Sequence, residues 1–328
     1  MSTSPPPPPE PSPVTTRPIL GVHHVGIAAH DVAALARFYR RSSGLVDWPA
    51  VDALQLPGGG LALAGPNAGL RLLPGADAPR RRAVSEAGIT HVCLQSTAIQ
   101  HLLQSHTEAG ACFHSPLVDL GTGFLYSYAR DTEHNVIELE GVAPVWADPQ
   151  PWLAHVNLAC ADITSQAAFY AALLGSPAAR SPRLKGNPRL DQIADLRGVD
   201  LRMAWIDARN MQVELIQYTQ PAEEATGRSS TRRLPGANGH AYVALEVSDL
   251  DAARALLCAH GGSVTQTLNG GPYVPGNLGL RCTDPEGNAL WLLDHDTLAR
   301  CGTAIDQLPQ PDVVPRFQAA RAALQGHA

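Results

Sequence analysis

A chain of 328 residues, 45% apolar and 16% charged with a formal net charge of −6, can build two cored domains and is too apolar for global disorder. Its 24 Lys and Arg, Lys185 being the only lysine, are outnumbered by 30 Asp and Glu, so no nucleic-acid partner is expected. No apolar run reaches the roughly 20 residues of a spanning helix, so no membrane partner is expected either.

Residues 1–18, MSTSPPPPPEPSPVTTRP, cannot form helix or ladder and lack the basic and apolar regions of a secretory signal. They are expected to be a disordered, proline-rich tail. Four segments of one plan follow, each opening on an apolar strand: HHVGIAA, THVCLQS, AHVNLAC and YVALEVS. Behind the first, Asp31 can cap a helix with Val32, Leu35, Ala36 and Tyr39 on one face. Behind the third, Asp162 precedes Ile163, Ala167, Tyr170 and Leu174 at helical spacing, and the fourth repeats the pattern with Leu250, Ala253 and Leu257. Gly44, Gly110, Gly175 and Gly261 stand where left-handed caps would close these helices. Each unit ends in an extended run, LRLLP, VIELE, VELIQ or ALWLL, and the turns DTEHN and DPEGN lead into the second and fourth. Four βαβββ repeats are thereby predicted. The stretch Pro144 to Pro151 reads as the main linker, and TQPAEEATGRSSTRRLPGANG as an exposed loop.

The six cysteines, Cys93, Cys112, Cys160, Cys258, Cys282 and Cys301, contain no C-x-x-C pair and read as reduced thiols in a cytoplasmic protein. The glycines of LPGGGLALAGPNAG read as turn punctuation, because no Lys-Ser/Thr or helix-opening pattern follows to make a phosphate loop.

HHVGIAAHDVAALARFYRRSSGL, FLYSYARDTEHNVIELE, HVNLACADITSQAAFYAALLG and VALEVSDLDAARALL together resemble the vicinal oxygen chelate superfamily, which includes glyoxalase I, methylmalonyl-CoA epimerase, extradiol dioxygenases and drug-binding resistance proteins. The resemblance spans roughly residues 19 to 296. It implies an α+β fold in which four tandem βαβββ modules pair into two cup-shaped mixed β-sheets flanked by helices. The expected domains are 19–146 (modules one and two, with the metal site) and 147–296 (modules three and four, partly degenerate), followed by a tail, 297–328.

The resemblance also implies metal ligands on the first and last strands of paired modules. On first strands these would be His24, His91 and His155, with Tyr242 in the fourth module; on last strands, Glu138 and Glu214, with Arg71 and Trp291 in the first and fourth. Strand alternation agrees: Glu138 points away from Ile137 and Leu139, and His91 away from Val92. If consecutive modules pair, as short connections favour, His24, His91 and Glu138 form the two-imidazole, one-carboxylate set of non-haem Fe(II) oxygenases. The leading expectation is therefore an extradiol-type dioxygenase acting on a catecholic or hydroquinone-like molecule, with Fe(II) favoured over Mn(II), Zn(II) or Ni(II). Tyr128 and His114 would be its catalytic side chains.

If module two pairs with three instead, His91, Glu138, His155 and Glu214 converge as in glyoxalase I and the epimerase, implying a lyase or isomerase that moves a proton through one carboxylate. A metal-free small-molecule binder is the third reading. The partner is a small-molecule substrate in the first two, and the chain is a monomer or a homo-oligomer. Arg71 is expected in an ion pair with a carboxylate or against an anionic substrate, His23 on the face opposite His24, and His101, His106 and His134 in solvated helix and turn positions.

Overall fold

The computed structural model describes residues 17–143, 150–220 and 238–325, except 273 and 275. The first sixteen residues of the expected tail, most of the linker and most of the exposed loop lie outside the described residues.

The first unit comprises β1 (Ile19–Ala29), α1 (Val32–Ser43), β2 (Val46–Asp47), α2 (Pro49–Asp52), β3 (Leu61–Ala64) and β4 (Gly69–Pro74). The second contains β5 (Gly88–Ser96), α3 (Ile99–Ala109), β6 (Cys112–Phe113), β7 (Val118–Asp119), β8 (Leu125–Arg130) and β9 (Val136–Gly141). In the third are β10 (Trp152–Ala159), α4 (Ile163–Leu174), β11 (Ala179–Arg180), β12 (Leu184–Lys185), α5 (Pro188–Ala194), β13 (Asp200–Asp207) and β14 (Gln212–Gln220). The fourth has β15 (Gly239–Val247), α6 (Leu250–Ala259), β16 (Ser263–Asn269), β17 (Asn277–Thr283) and β18 (Ala289–Asp294). Two helices end the chain, α7 (His295–Arg300) and α8 (Val313–Gln325). No helix among the described residues is long and apolar enough to cross a membrane.

The caps form as the residue types dictate. Asp31, Asp162 and Asp249 accept backbone N–H groups at the starts of α1, α4 and α6, and Gly44, Gly110 and Gly175 close α1, α3 and α4 in the left-handed region. His106, expected in solvent, is fully buried: its Nδ1 donates to the Leu102 carbonyl at 2.8 Å and its ring packs on Phe38.

The α+β architecture of two mixed, open sheets flanked by helices is as expected, but its pairing is not the one expected. One sheet runs β16-β17-β18-β15-β1-β4-β3-β2 and the other β11-β13-β14-β10-β5-β9-β8-β6. Unit one therefore pairs with unit four through antiparallel β1 and β15, and unit two with unit three through antiparallel β5 and β10. Neither expected domain, 19–146 or 147–296, holds a whole sheet.

Consecutive units are neighbours all the same, by another route. Glu133, in the turn between β8 and β9, accepts the backbone N–H groups of His30 and Asp31 at the start of α1, and Asp131 accepts the Tyr39 hydroxyl. Glu286 and Asp284 do the same for units three and four, at Ala161, Asp162 and Tyr170. Helices α1, α3, α4 and α6 and one face of both sheets share a single apolar core. The opposite faces carry the candidate sites.

Candidate metal centre

The donor face is written by strand alternation. On β5 the even-numbered Val92 and Leu94 enter the shared core, which turns His91, Cys93 and Gln95 the other way; Ile137 and Leu139 do the same for Glu138 and Glu140 on β9. In β14, Val213 and Leu215 bracket Glu214. The sheet order then sets β14, β10, β5 and β9 side by side, and each contributes one ligand-type side chain. Register completes the arrangement: His91 lies opposite Asn157 and His155 opposite Cys93, while Cys93 stands beside Glu138 and Asn157 beside Glu214. The two halves are thus related by a local twofold.

The potential ligand atoms of His91, Glu138, His155 and Glu214 all lie within 4.8 Å of one another, and all four residues are buried. Glu138 Oε2 lies 3.1 Å from His91 Nε2 and 2.8 Å from His155 Nε2; Glu214 Oε2 lies 3.6 Å and 3.3 Å from the same nitrogens. Both imidazoles turn Nε2 inward. Behind them, Thr90 Oγ1 meets His91 Nδ1 at 3.1 Å, and Asn157 Nδ2 donates to Glu214 Oε2 at 2.9 Å. Such outer contacts orient ligands before any ion arrives.

Burial alone would favour the neutral form of every group here, yet each shifts the other way. His91 is held above the ordinary imidazole value by hydrogen bonds and charge from Glu138 and Glu214. His155 is held well above it by the neighbouring Cys93, Glu214 and Glu138. Glu138 is lowered by His155 and then His91, as is Glu214. Two carboxylates buried this deeply demand two positive charges. Protonated imidazoles can supply them. A divalent cation supplies the same charge while leaving the imidazoles neutral, and two imidazole nitrogens with two carboxylates suit Fe(II), Mn(II), Zn(II) or Ni(II).

The other sheet shows what became of the equivalent positions. His24, first in the expected set, stands on β1 beside β15 and not with His91, so His24, His91 and Glu138 do not converge. Its Nε2 meets the Tyr242 hydroxyl at 2.9 Å, and Arg71 Nη1 donates to the same hydroxyl at 3.1 Å. Tyr242 stacks on Trp291 at 3.9 Å between ring centroids. Among the described residues Arg71 takes no ion pair: its guanidinium also donates to the carbonyls of Leu56, Pro57 and Gly59, lacing the loop between α2 and β3. Burial, then His23 and Arg71, hold His24 well below the ordinary imidazole value. A bulge between Val22 and His24 brings His23 to the same side, against Trp48, rather than to the opposite face.

Tyr128 stands opposite Glu138 on β8, with its ring 4.9 Å from that of His91, so it walls the four-donor centre. His114 is a layer further out: its ring lies 6.3 Å from Tyr128, and Nδ1 meets the Ile193 carbonyl of α5 at 3.0 Å. Asn157, Cys93 and Glu140 were not singled out from sequence. Their spacing of two from His155, His91 and Glu138 was the available signal. The C-terminal tail reaches the same region, where Val313, Val314 and Phe317 of α8 pack in one cluster with Cys93 and Trp152.

The family model of the Glyoxalase/Bleomycin resistance protein/Dioxygenase superfamily matches residues 21–139 and 152–292. The chain belongs to this superfamily. Among solved structures, glyoxalase I from Zea mays is similar at a TM-score of 0.58 and 18% identity, over 86% of this chain and 95% of that one. The "putative dioxygenase" from Bacillus subtilis is similar at 0.57 and 12%, over 95% of this chain and 97% of that one. At these identities the likeness is one of fold, which in this superfamily places two βαβββ units in each sheet. A comparison with curated proteins finds no significant match.

Proposed function

We propose that this chain is a divalent-metal-dependent isomerase or lyase of the glyoxalase I type, acting on a small molecule that carries a carbonyl beside an acidic C–H bond. One observation carries the reading: two imidazoles and two carboxylates from four adjacent strands converge within 4.8 Å. His91, His155, Glu138 and Glu214 would hold the ion, whose chemistry when bound is to stabilise negative charge developing on the carbonyl oxygen.

The chain's own part is proton transfer. Asn157 tethers Glu214, whereas the position across from it beside Glu138 holds Cys93, a far weaker donor. Glu138 is therefore the carboxylate free to swing from the ligand set. Its oxygen takes the proton from the carbon next to the carbonyl and returns it either to the former carbonyl carbon, with the adjacent hydroxyl proton passing to the former carbonyl oxygen, or to the opposite face of the same carbon in an epimer, so no oxidant or reductant is consumed. Burial under Tyr128 and the surrounding apolar side chains excludes water, which would otherwise exchange the proton in transit.

The test compares metal content and turnover. Purified protein loaded with Mn2+, Zn2+ or Ni2+ is assayed with hemithioacetals and acyl-CoA epimers, and separately for oxygen uptake with catechols and hydroquinones. Metal-dependent turnover of the first group is expected. Glu138→Gln should abolish it (a loss of roughly 10²-fold or more, as for other positioned bases) while metal is retained, His155→Ala should lose the metal, and His24→Ala should retain both. Oxygen consumption with ring opening would overturn the reading in favour of the dioxygenase, and failure to bind any ion would favour the metal-free binder.

A further inference from the structure

Beside the four-donor centre runs a second line of buried donors. Cys93 stands two residues after His91 and opposite His155, and Glu140 two residues after Glu138. Potential ligand atoms of Cys93, Glu140 and His155 lie within 4.8 Å of one another, all buried. Glu140 is 7% exposed, yet its hydrogen-bonding partners among the described residues are neutral: the Cys93 thiol, with Sγ 3.8 Å from Oε2, and the Gln95 amide. Gln95 is held in turn by the Trp152 indole N–H at 3.0 Å. A carboxylate so placed is expensive unless a cation shares its site.

We propose that Cys93, His155 and Glu140 form a second cation position, overlapping the four-donor centre at His155 and taking thiophilic divalent ions such as Zn2+ or Cd2+. Thiolate sulfur selects soft ions, whereas the two-imidazole, two-carboxylate set also accepts hard ones such as Mn2+. As the sulfur–metal bond forms, the Cys93 thiol releases its proton, and a protonated His155 releases its own, to the water that enters with the ion. Thiolate and carboxylate then carry two negative charges against the ion's two positive ones, with His155 neutral. Gln95 and Trp152 fix the carboxylate, and α8 keeps solvent from the sulfur. One imidazole serves both positions, so a thiophilic ion here withdraws His155 from the four-donor centre. Only this competition rests on the reading of that centre; the thiolate position stands apart from it.

The experiment uses the full chain, reduced and stripped of metal, titrated with Cd2+ while the thiolate-to-cadmium charge-transfer absorption is read. Mn2+ binding is followed in parallel by electron paramagnetic resonance. The expected result is an absorption that saturates, disappears in Cys93→Ser, and needs about 10- to 100-fold more Cd2+ in Glu140→Gln. Cys93→Ser should bind Mn2+ as the parent does, which also shows that it folds, and should need about tenfold more Cd2+ to release it. Absorption that persists in Cys93→Ser, or Cd2+ bound without absorption, overturns the proposal. Failure of the parent to bind Mn2+ refutes the four-donor centre instead, because the absorption reports the Cys93 position independently.

Discussion

His24, His91 and His155 occupy one place in their repeats but meet different neighbours. Two face carboxylates across the sheet, and the third faces Arg71 and a tyrosine hydroxyl. Gly26 shows how firmly the first sheet has closed around its own residues, since a Cβ there would lie 2.1 Å from the Tyr242 ring. Gly26→Ala should therefore push Tyr242 off the strand and destabilise the fold by about 1–3 kcal/mol, as overpacking does. Thermal unfolding should register that loss while metal content stays unchanged. Buried histidines also predict a pH dependence. Burial lowers His23 and His106 from 6.5 to about 4, only partly offset by hydrogen bonds to backbone carbonyls. The folded state thus binds these protons more weakly than the unfolded chain. The associated stability is complete above about pH 6.5 and is lost as the pH falls from there toward 4, by an amount on the order of 3 kcal/mol per histidine. Denaturant titrations should show His106→Gln with a shallower fall across that window.

Between elements, two asparagines bind the sheets together. Asn67 donates to the carbonyls of Leu153 and Asn210 and accepts the Leu153 N–H; Asn210 accepts the Val22 N–H and donates to the carbonyls of Val22 and Asn67. Each reaches from one half of the chain to a first strand of the other, and both are buried. Truncating either leaves several backbone groups unpaired, at about 1–3 kcal/mol for each. Asn67→Ala and Asn210→Ala should each lower the melting temperature by several degrees, and the double variant by an amount that departs from the sum, because each side chain donates to the other's backbone carbonyl. Helix starts and ends were legible in the sequence at this scale, as Asp31, Asp162 and Asp249 cap through bonds to residues two or three positions away. The bulge at His23 was not, because it arises from the register of β15 across from it.

For the whole molecule, units one and two lie in different sheets, and each sheet is completed by a unit from the other half of the chain. Either half alone would expose the edges of two first strands, β1 and β5 in one case and β10 and β15 in the other. Unpaired edges recruit partners. Residues 1–143 expressed alone should dimerise or aggregate, and co-expression with the remainder should restore metal binding; a monodisperse, folded monomer in size-exclusion chromatography would contradict this.

Alternation of apolar and polar residues, helix periodicity and capping are local, so the sequence alone determined the four repeats and the direction of His91 and Glu138, while its resemblance to the superfamily marked His155 and Glu214 as ligand positions and Tyr242, Arg71 and Trp291 as positions without the usual ligand types. Which first strands pair was decided only in three dimensions. Opening strands of similar pattern offer similar edges, and the choice between them falls to contacts far apart in the chain. Here Glu133 and Glu286 bind consecutive units through helix starts, which leaves β5 free to meet β10 and β1 to meet β15. That choice separated His24 from His91 and brought His155 and Glu214 to the centre.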